Sequence, residues 1–355
     1  MTPANLPTSR VRAVLRAALW LVPLGVAGNV ALALLSTDRH VLDVVASLPA
    51  GPLAVAGALA VVPWITNALR LQLWASFVGH ALGFWSALRV VLGGLLGSAV
   101  TPTGSGGAAL KWALLSRRGV SGGTAGTLLL VETFENAVFM GIAVPAAIVV
   151  TAATEIPVLQ DVWARALGGG GPAAASAVAV GAGLVAAAVL VTRGHLGRRA
   201  RRWTLRARRA ARRHLRDAKR VGADVVRRGK GRLALGVLLA GVQWTARYSV
   251  ATAVIAFLDV PIRPVLFWLL QWVTFTLMNA VPTPGAAGGA EAAFAVLFSP
   301  FVPVDLLGLA TAAWRLVLFY GPLAVAAVLF VGLGRWTAAP GATEDGAENR
   351  RRRPS

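Results

Sequence analysis

The sequence contains no cysteine, four histidines, two tyrosines and only fourteen acidic residues among 355. Without cysteine there is no disulfide, no thiolate nucleophile and no cysteine-held metal. The histidines, His40, His80, His195 and His214, are too scattered to form a metal cluster or ligate haem, and none lies near Ser105 in "GSGG" to act as its base. The glycine-rich "TPTGSGG" lacks the lysine and Ser/Thr ending of a phosphate loop. A catalyst, a metal or another cofactor is therefore not expected. Charge is also scarce, at 14% of residues against 56% hydrophobic, and the mean hydropathy of +0.67 lies outside the range of ordinary soluble domains. The chain reads as an integral membrane protein.

Apolar windows long enough to cross a bilayer fall at roughly 13–35, 52–73, 120–152, 173–192, 233–258 and 306–332. Two further apolar stretches, 86–115 and 264–298, are interrupted by proline and glycine, leaving arms of about fifteen residues that are short for a crossing. The expected fold class is an all-α polytopic protein of about six transmembrane helices and two re-entrant helical hairpins. Its parts are an N-terminal membrane segment over 1–192, a basic loop over 193–232, a C-terminal membrane segment over 233–335 and a disordered tail over 336–355. The arginines before the first span read as the flank of a retained helix rather than a cleaved signal.

The formal net charge is +21, and basic residues concentrate in loops and flanks. By the positive-inside rule the N-terminus, Arg117, Arg118, the 193–232 loop and the C-terminus lie in the cytoplasm, giving a multi-pass protein of the cell membrane. Residues 193–232 hold seventeen Lys or Arg against Asp217 and Asp224. At helical period Trp203, Ala207, Ala211, Ala218, Val221 and Val225 gather on one side. The loop therefore suits either a helix lying on anionic phospholipid headgroups or a solvated topology anchor, and no nucleic-acid motif accompanies the charge.

An offset of 182 aligns "AVTPTGSGGAALKWALLS" with the segment around "VPTPGAAGGAEAAF". Pro102 then falls on Pro284, Gly106 and Gly107 on Gly288 and Gly289, and Leu115 on Leu297. A crossing with Trp64 and Arg70 precedes the first hairpin, and one with Trp244 and Arg247 precedes the second. The halves enter the membrane with opposite orientation, so an inverted repeat is expected, with the proline and glycine turns exposing helix ends to a polar guest.

Ionisable side chains within spans are costly and usually face a bundle interior or a ligand path. Those singled out are Arg70, Lys111, Glu132, Glu135, Arg247, Glu291 and Arg315, seven in all. Glu132 and Glu135 are three apart and share a helix face. Glu132, Glu291 and Arg315 are expected to pair in one midplane cavity, or else to fix packing as internal ion pairs. Lys111 either joins that cavity or snorkels to the cytoplasmic surface; Arg70 and Arg247 either snorkel, contact headgroups or act in the cavity. Asn67, Asn136, Gln243, Gln271 and Asn279 either hydrogen-bond between helices, the favoured use, or line the same cavity.

The motifs "TPTGSGGAALK", "RRGVSGGTAG", "LLVETFEN", "PTPGAAGGAE" and "AAWRLVLFYGP" together resemble the flippase-like transmembrane region of lysylphosphatidylglycerol synthases and its stand-alone relatives. The resemblance runs from about residue 60 to 332. It departs at Thr133, where the family's arginine would follow Glu132, and at Ala109. The resemblance implies movement of a lipid between leaflets, here expected without an attached synthase domain. A separate synthase or a second copy of the chain is the protein partner it leaves open. The alternative function, from the basic loop, is a non-transporting membrane partner that docks a cytoplasmic lipid- or glycan-modifying enzyme.

Overall fold

The computed structural model describes residues 47–152 except 102, 103 and 105, and residues 227–336 except 280, 282 and 284, together with Gly28 and Asp224. Every regular element among these residues is helical. The first series comprises α1 (Gly51–Phe77), α2 (Phe84–Ala99), α3 (Gly106–Arg117) and α4 (Gly122–Ala152). The second comprises α5 (Lys230–Phe257), α6 (Pro264–Met278), α7 (Gly289–Phe298) and α8 (Val304–Arg315). A π-helical turn, Leu316–Tyr320, joins α8 to α9 (Gly321–Trp336).

Each series runs long, short, short, long. Helices of 27, 16, 12 and 31 residues are followed by helices of 28, 15 and 10, then by the α8–α9 run. The contacts repeat as well. α1 and α5 form the most extensive pairing, α2 packs on α3 and on α9, and α6 packs on α7 and on α4.

Among the described residues, three stretches are long and apolar enough to cross a membrane: Gly51–Phe77, Gly122–Thr151 and Val304–Leu333. They coincide with the windows expected at 52–73, 120–152 and 306–332. The window at 233–258 becomes α5, equally long but carrying Gln243, Trp244 and Arg247 in its middle. It begins at Lys230, inside the segment assigned to the basic loop. The windows at 13–35 and 173–192, the remainder of the 193–232 loop and the 336–355 tail beyond Trp336 lie outside the described residues.

The bundle is apolar on its outside. Leu130, Ile142, Val149, Leu238 and Val328 are all exposed, whereas Arg70, Glu135 and Arg315 are buried. That inversion suits a hydrocarbon surround, where outward apolar side chains carry no solvation penalty and charges must find partners inside. Two hydrophobic cores fill the interior. One gathers around α2 and α3 and is mainly aliphatic, with Leu92, Leu96, Leu115 and Phe330. The other surrounds α6 and α7 and is aromatic, with Phe294 stacked on Phe298 at 4.3 Å and on Trp314 at 4.6 Å between ring centres.

Glycine permits the close approach of α2 and α3. A Cβ at Gly97 would lie 2.7 Å from the Gly106 carbonyl oxygen, and one at Gly106 would lie 2.6 Å from that of Gly97. Small residues at such a crossing let two backbones pack directly, the main source of helix association where no water drives it. The turns then close with glycine at positive φ, Gly104 at 70° and Gly285 at 62°. Pro102 and Pro284 lie outside the described residues.

Candidate functional site

A cavity of about 320 Å³ opens where α1 to α5 meet. Its polar lining includes Asn67, Lys111, Glu132, Asn136, Gln243 and Arg247, with the hydroxyls of Ser98 and Thr133, and Trp64 and Trp244 are its aromatic walls. Local sequence explains the arrangement. Positions 63, 64 and 67 of α1 and 243, 244 and 247 of α5 all line it, the same one-face spacing on two helices that pack along each other. Pro63 removes the N–H that would bond the Leu59 carbonyl, loosening α1 at cavity height. Gly94 makes room for Lys111, since a Cβ there would lie 2.8 Å from the lysine Cγ and Cε.

On one wall Lys111 Nζ donates to both carboxylate oxygens of Glu132, at 2.7 and 2.9 Å. The pair remains partly accessible, with side-chain exposures of 15% and 25%. Lys111 therefore turns inward to a carboxylate and does not snorkel.

Behind the cavity lies a closed network. Arg70 Nε donates to Glu135 Oε2 at 2.8 Å, and Nη2 approaches the same oxygen at 2.7 Å. Nη1 donates to Asn136 Oδ1 and Gln243 Oε1, at 3.0 and 2.9 Å, while Nη2 also donates to the Glu132 carbonyl at 2.9 Å. All five guanidinium donors are thus used. Trp74 Nε1 donates to Glu135 Oε1 at 2.6 Å, and Trp244 Nε1 to Asn136 Oδ1 at 3.1 Å. No motif or spacing marked Trp74 for this role. Gly236 seals the site, because a Cβ there would collide with the Glu135 carboxylate.

One alternative is removed here. Arg70 does not snorkel: its side chain is 2% exposed and saturated, so with Glu135 it welds α1, α4 and α5 together. Asn136 and Gln243 both bond between helices and line the cavity, and Asn67 lines it. The signal was the recurrence of a tryptophan and a polar residue at an offset of 180. That offset sets Arg247 against Asn67, where the sequence comparison had set it beside Arg70.

The second half holds a separate charged site. Arg315 Nε donates to Glu291 Oε1 at 2.7 Å, and its Nη2 donates to the Gly285 carbonyl at 3.0 Å. The other carboxylate oxygen of Glu291 accepts from the Gly288 N–H at 2.8 Å. The guanidinium lies 4.6 Å from the centre of the Phe319 ring, in the π-helical turn that starts directly after Arg315. Such turns add a residue and commonly mark functional positions.

Glu132, Glu291 and Arg315 are therefore not brought together. Glu132 belongs to the cavity, whereas Glu291 and Arg315 clamp the turn between α6 and α7. At each hairpin one amide is taken up by a side chain, Gly288 N–H by a Glu291 carboxylate oxygen and Gly106 N–H by Thr101 Oγ1, both at 2.8 Å. A free helix end in an apolar surround leaves unsatisfied donors, so nearby side chains take them up.

The charges, the matched helix series and the motifs can now be set beside known proteins. The sequence matches the lysylphosphatidylglycerol synthase TM region over residues 17–326. The chain belongs to that family. This member of the lysylphosphatidylglycerol synthase TM-region family is also similar to a UPF0104 membrane protein of Archaeoglobus fulgidus, with 26% identity over 292 residues, 77% of this chain and 85% of the relative. The family match encloses both charged sites, from Arg70 to Arg315.

Proposed function

We propose that the chain moves a polar-headgroup lipid between membrane leaflets, its headgroup passing through the cavity while the acyl tails stay in the bilayer. The observation that carries this reading is a charged cavity, lined by Lys111, Glu132 and Arg247, inside a bundle whose outer surface is apolar. Charges at that depth are expensive and suit a polar guest. Family membership and the matched helix series support it.

In this proposal α2–α3 and α6–α7 are re-entrant hairpins of an inverted repeat in the cell membrane, the first reached from the cytoplasm and the second from outside, with both termini cytoplasmic. The Lys111–Glu132 pair is the cavity-side contact that a headgroup displaces. The Arg315–Glu291 clamp holds the opposite gate, and the two halves rock about the α1–α5 pairing. The 193–232 loop rests on anionic phospholipid headgroups. No catalytic step is assigned.

The test is leaflet scrambling of labelled phospholipids in proteoliposomes, comparing the wild type with Glu132→Gln and Glu291→Gln. Wild-type protein is expected to accelerate exchange over empty vesicles and both variants to slow it. Exchange no faster than in empty vesicles, or equal in all three proteins, removes the proposal.

A further inference from the structure

Two arginines lie beside the cavity, Arg70 on α1 and Arg247 on α5, and they are in opposite states. Arg70 uses every donor it has. Arg247 makes no hydrogen bond or ion pair among the described residues, and its Nε is buried without an acceptor. Its Cζ lies over the rings of Phe275 and Trp244, 4.8 and 5.8 Å from their centres. Cation–π contact of this kind offsets part of the charge and supplies no in-plane acceptor to the N–H groups.

Arg247 also lines the cavity. A buried donor left unmatched is costly, so its Nε calls for an acceptor that the described residues do not supply. The cavity charge points the same way. Two cations, Lys111 and Arg247, face one carboxylate, Glu132, leaving one net positive charge. Asn67 adds a second unmatched atom on the same lining, its Oδ1, which is an acceptor. The missing guest therefore brings one negative charge with paired oxygens for Arg247, and a hydroxyl donor for Asn67.

We infer that Arg247 and Asn67 form a binding subsite for a phosphodiester monoanion bearing a neutral hydroxylated headgroup, with Arg247 taking the phosphate oxygens. This rests on the lipid-handling reading of the same cavity and narrows it. A zwitterionic or cationic headgroup would bring a positive charge into a lining that already carries an excess of it.

The test is binding, measured separately from movement. Purified full-length protein is incubated with equimolar phosphatidylglycerol, phosphatidylinositol and phosphatidylcholine, and retained lipid is read by native mass spectrometry. The wild type is expected to retain the two hydroxylated anionic lipids about tenfold over phosphatidylcholine, as for a charge-assisted bond. Arg247→Gln is expected to abolish the preference and Arg247→Lys to keep part of it, with monodispersity checking the fold of each. A parallel arm adds inorganic phosphate: displacement of the retained lipid at millimolar phosphate assigns the subsite to a free anion and overturns the lipid reading.

A wild type without headgroup preference sinks the inference with no variant needed. So does a preference that survives in Arg247→Gln. Protein that selects these lipids through Arg247 yet fails to move them keeps the subsite and loses the translocation proposal; movement with no selection does the reverse.

Discussion

Arg70 and Glu135 meet across the α1–α4 interface at 2.8 Å, both inaccessible, and neither has water to fall back on. The relationship makes the first half of the bundle depend on one ion pair. Removing one member of a buried pair strands the other, at a cost of about 3 kcal/mol or more. Arg70→Ala is therefore expected to lower the denaturation midpoint sharply in detergent unfolding, while Arg70→Met with Glu135→Leu recovers much of the loss. If the double variant is no better than the single, the pair is not the source.

Gly236 and Gly57 should respond oppositely to one added methyl group. Gly236→Ala drives a Cβ into the Glu135 carboxylate, and overpacking costs about 1–3 kcal/mol. Gly57→Ala meets nothing within 4 Å and removes a helix-interior glycine, a gain of roughly 0.5–1 kcal/mol. Thermal unfolding of the two purified variants, measured side by side, checks both signs.

The Lys111–Glu132 pair should matter more for movement than for stability. It is partly accessible, and pairs of that kind contribute about 1 kcal/mol or less. Lys111→Met is expected to shift the unfolding midpoint little and to slow lipid exchange about tenfold, the scale of one lost charge-assisted contact. A large stability loss with normal exchange would assign the pair to packing.

Arg315→Ala should be worse for the fold than Glu291→Gln. Arg315 is 1% exposed and holds both a carboxylate and the Gly285 carbonyl, whereas glutamine at 291 keeps one oxygen to cap Gly288 and loses only the acceptor for Arg315 Nε. The cap alone is worth about 1 kcal/mol. Protease cleavage at the 283–288 turn is expected to rise most in Arg315→Ala and less in Glu291→Gln.

The absence of native cysteine permits a direct test of the inverted repeat. Ser105→Cys and Ala287→Cys, each the sole cysteine in its protein, are expected to react with an impermeant maleimide from opposite sides of sealed vesicles. Labelling of both from one side contradicts the opposite insertion.

Much of the fold was legible because it depends on local pattern. The long apolar windows became α1, α4 and the α8–α9 run, and the proline and glycine breaks separated α2 from α3 and α6 from α7 within a few residues. The seven ionisable residues were recognisable as cavity or pairing candidates because lipid tolerates so few. Their partners were not. Glu132 and Glu135 sit three apart on one helix face, yet one turns to Lys111 and the other to Arg70.

By itself the sequence determined a helical membrane protein with paired broken segments and a small set of interior charges, because hydropathy, helix period and turn chemistry act over a few neighbouring residues. Only the tertiary structure decided which charge meets which. Arg70 reaches 65 residues along the chain to Glu135 and 173 to Gln243, and those meetings follow from how α1, α4 and α5 cross. That crossing saturates Arg70 and leaves Arg247 Nε without an acceptor among the described residues, a difference that no spacing in the sequence encodes.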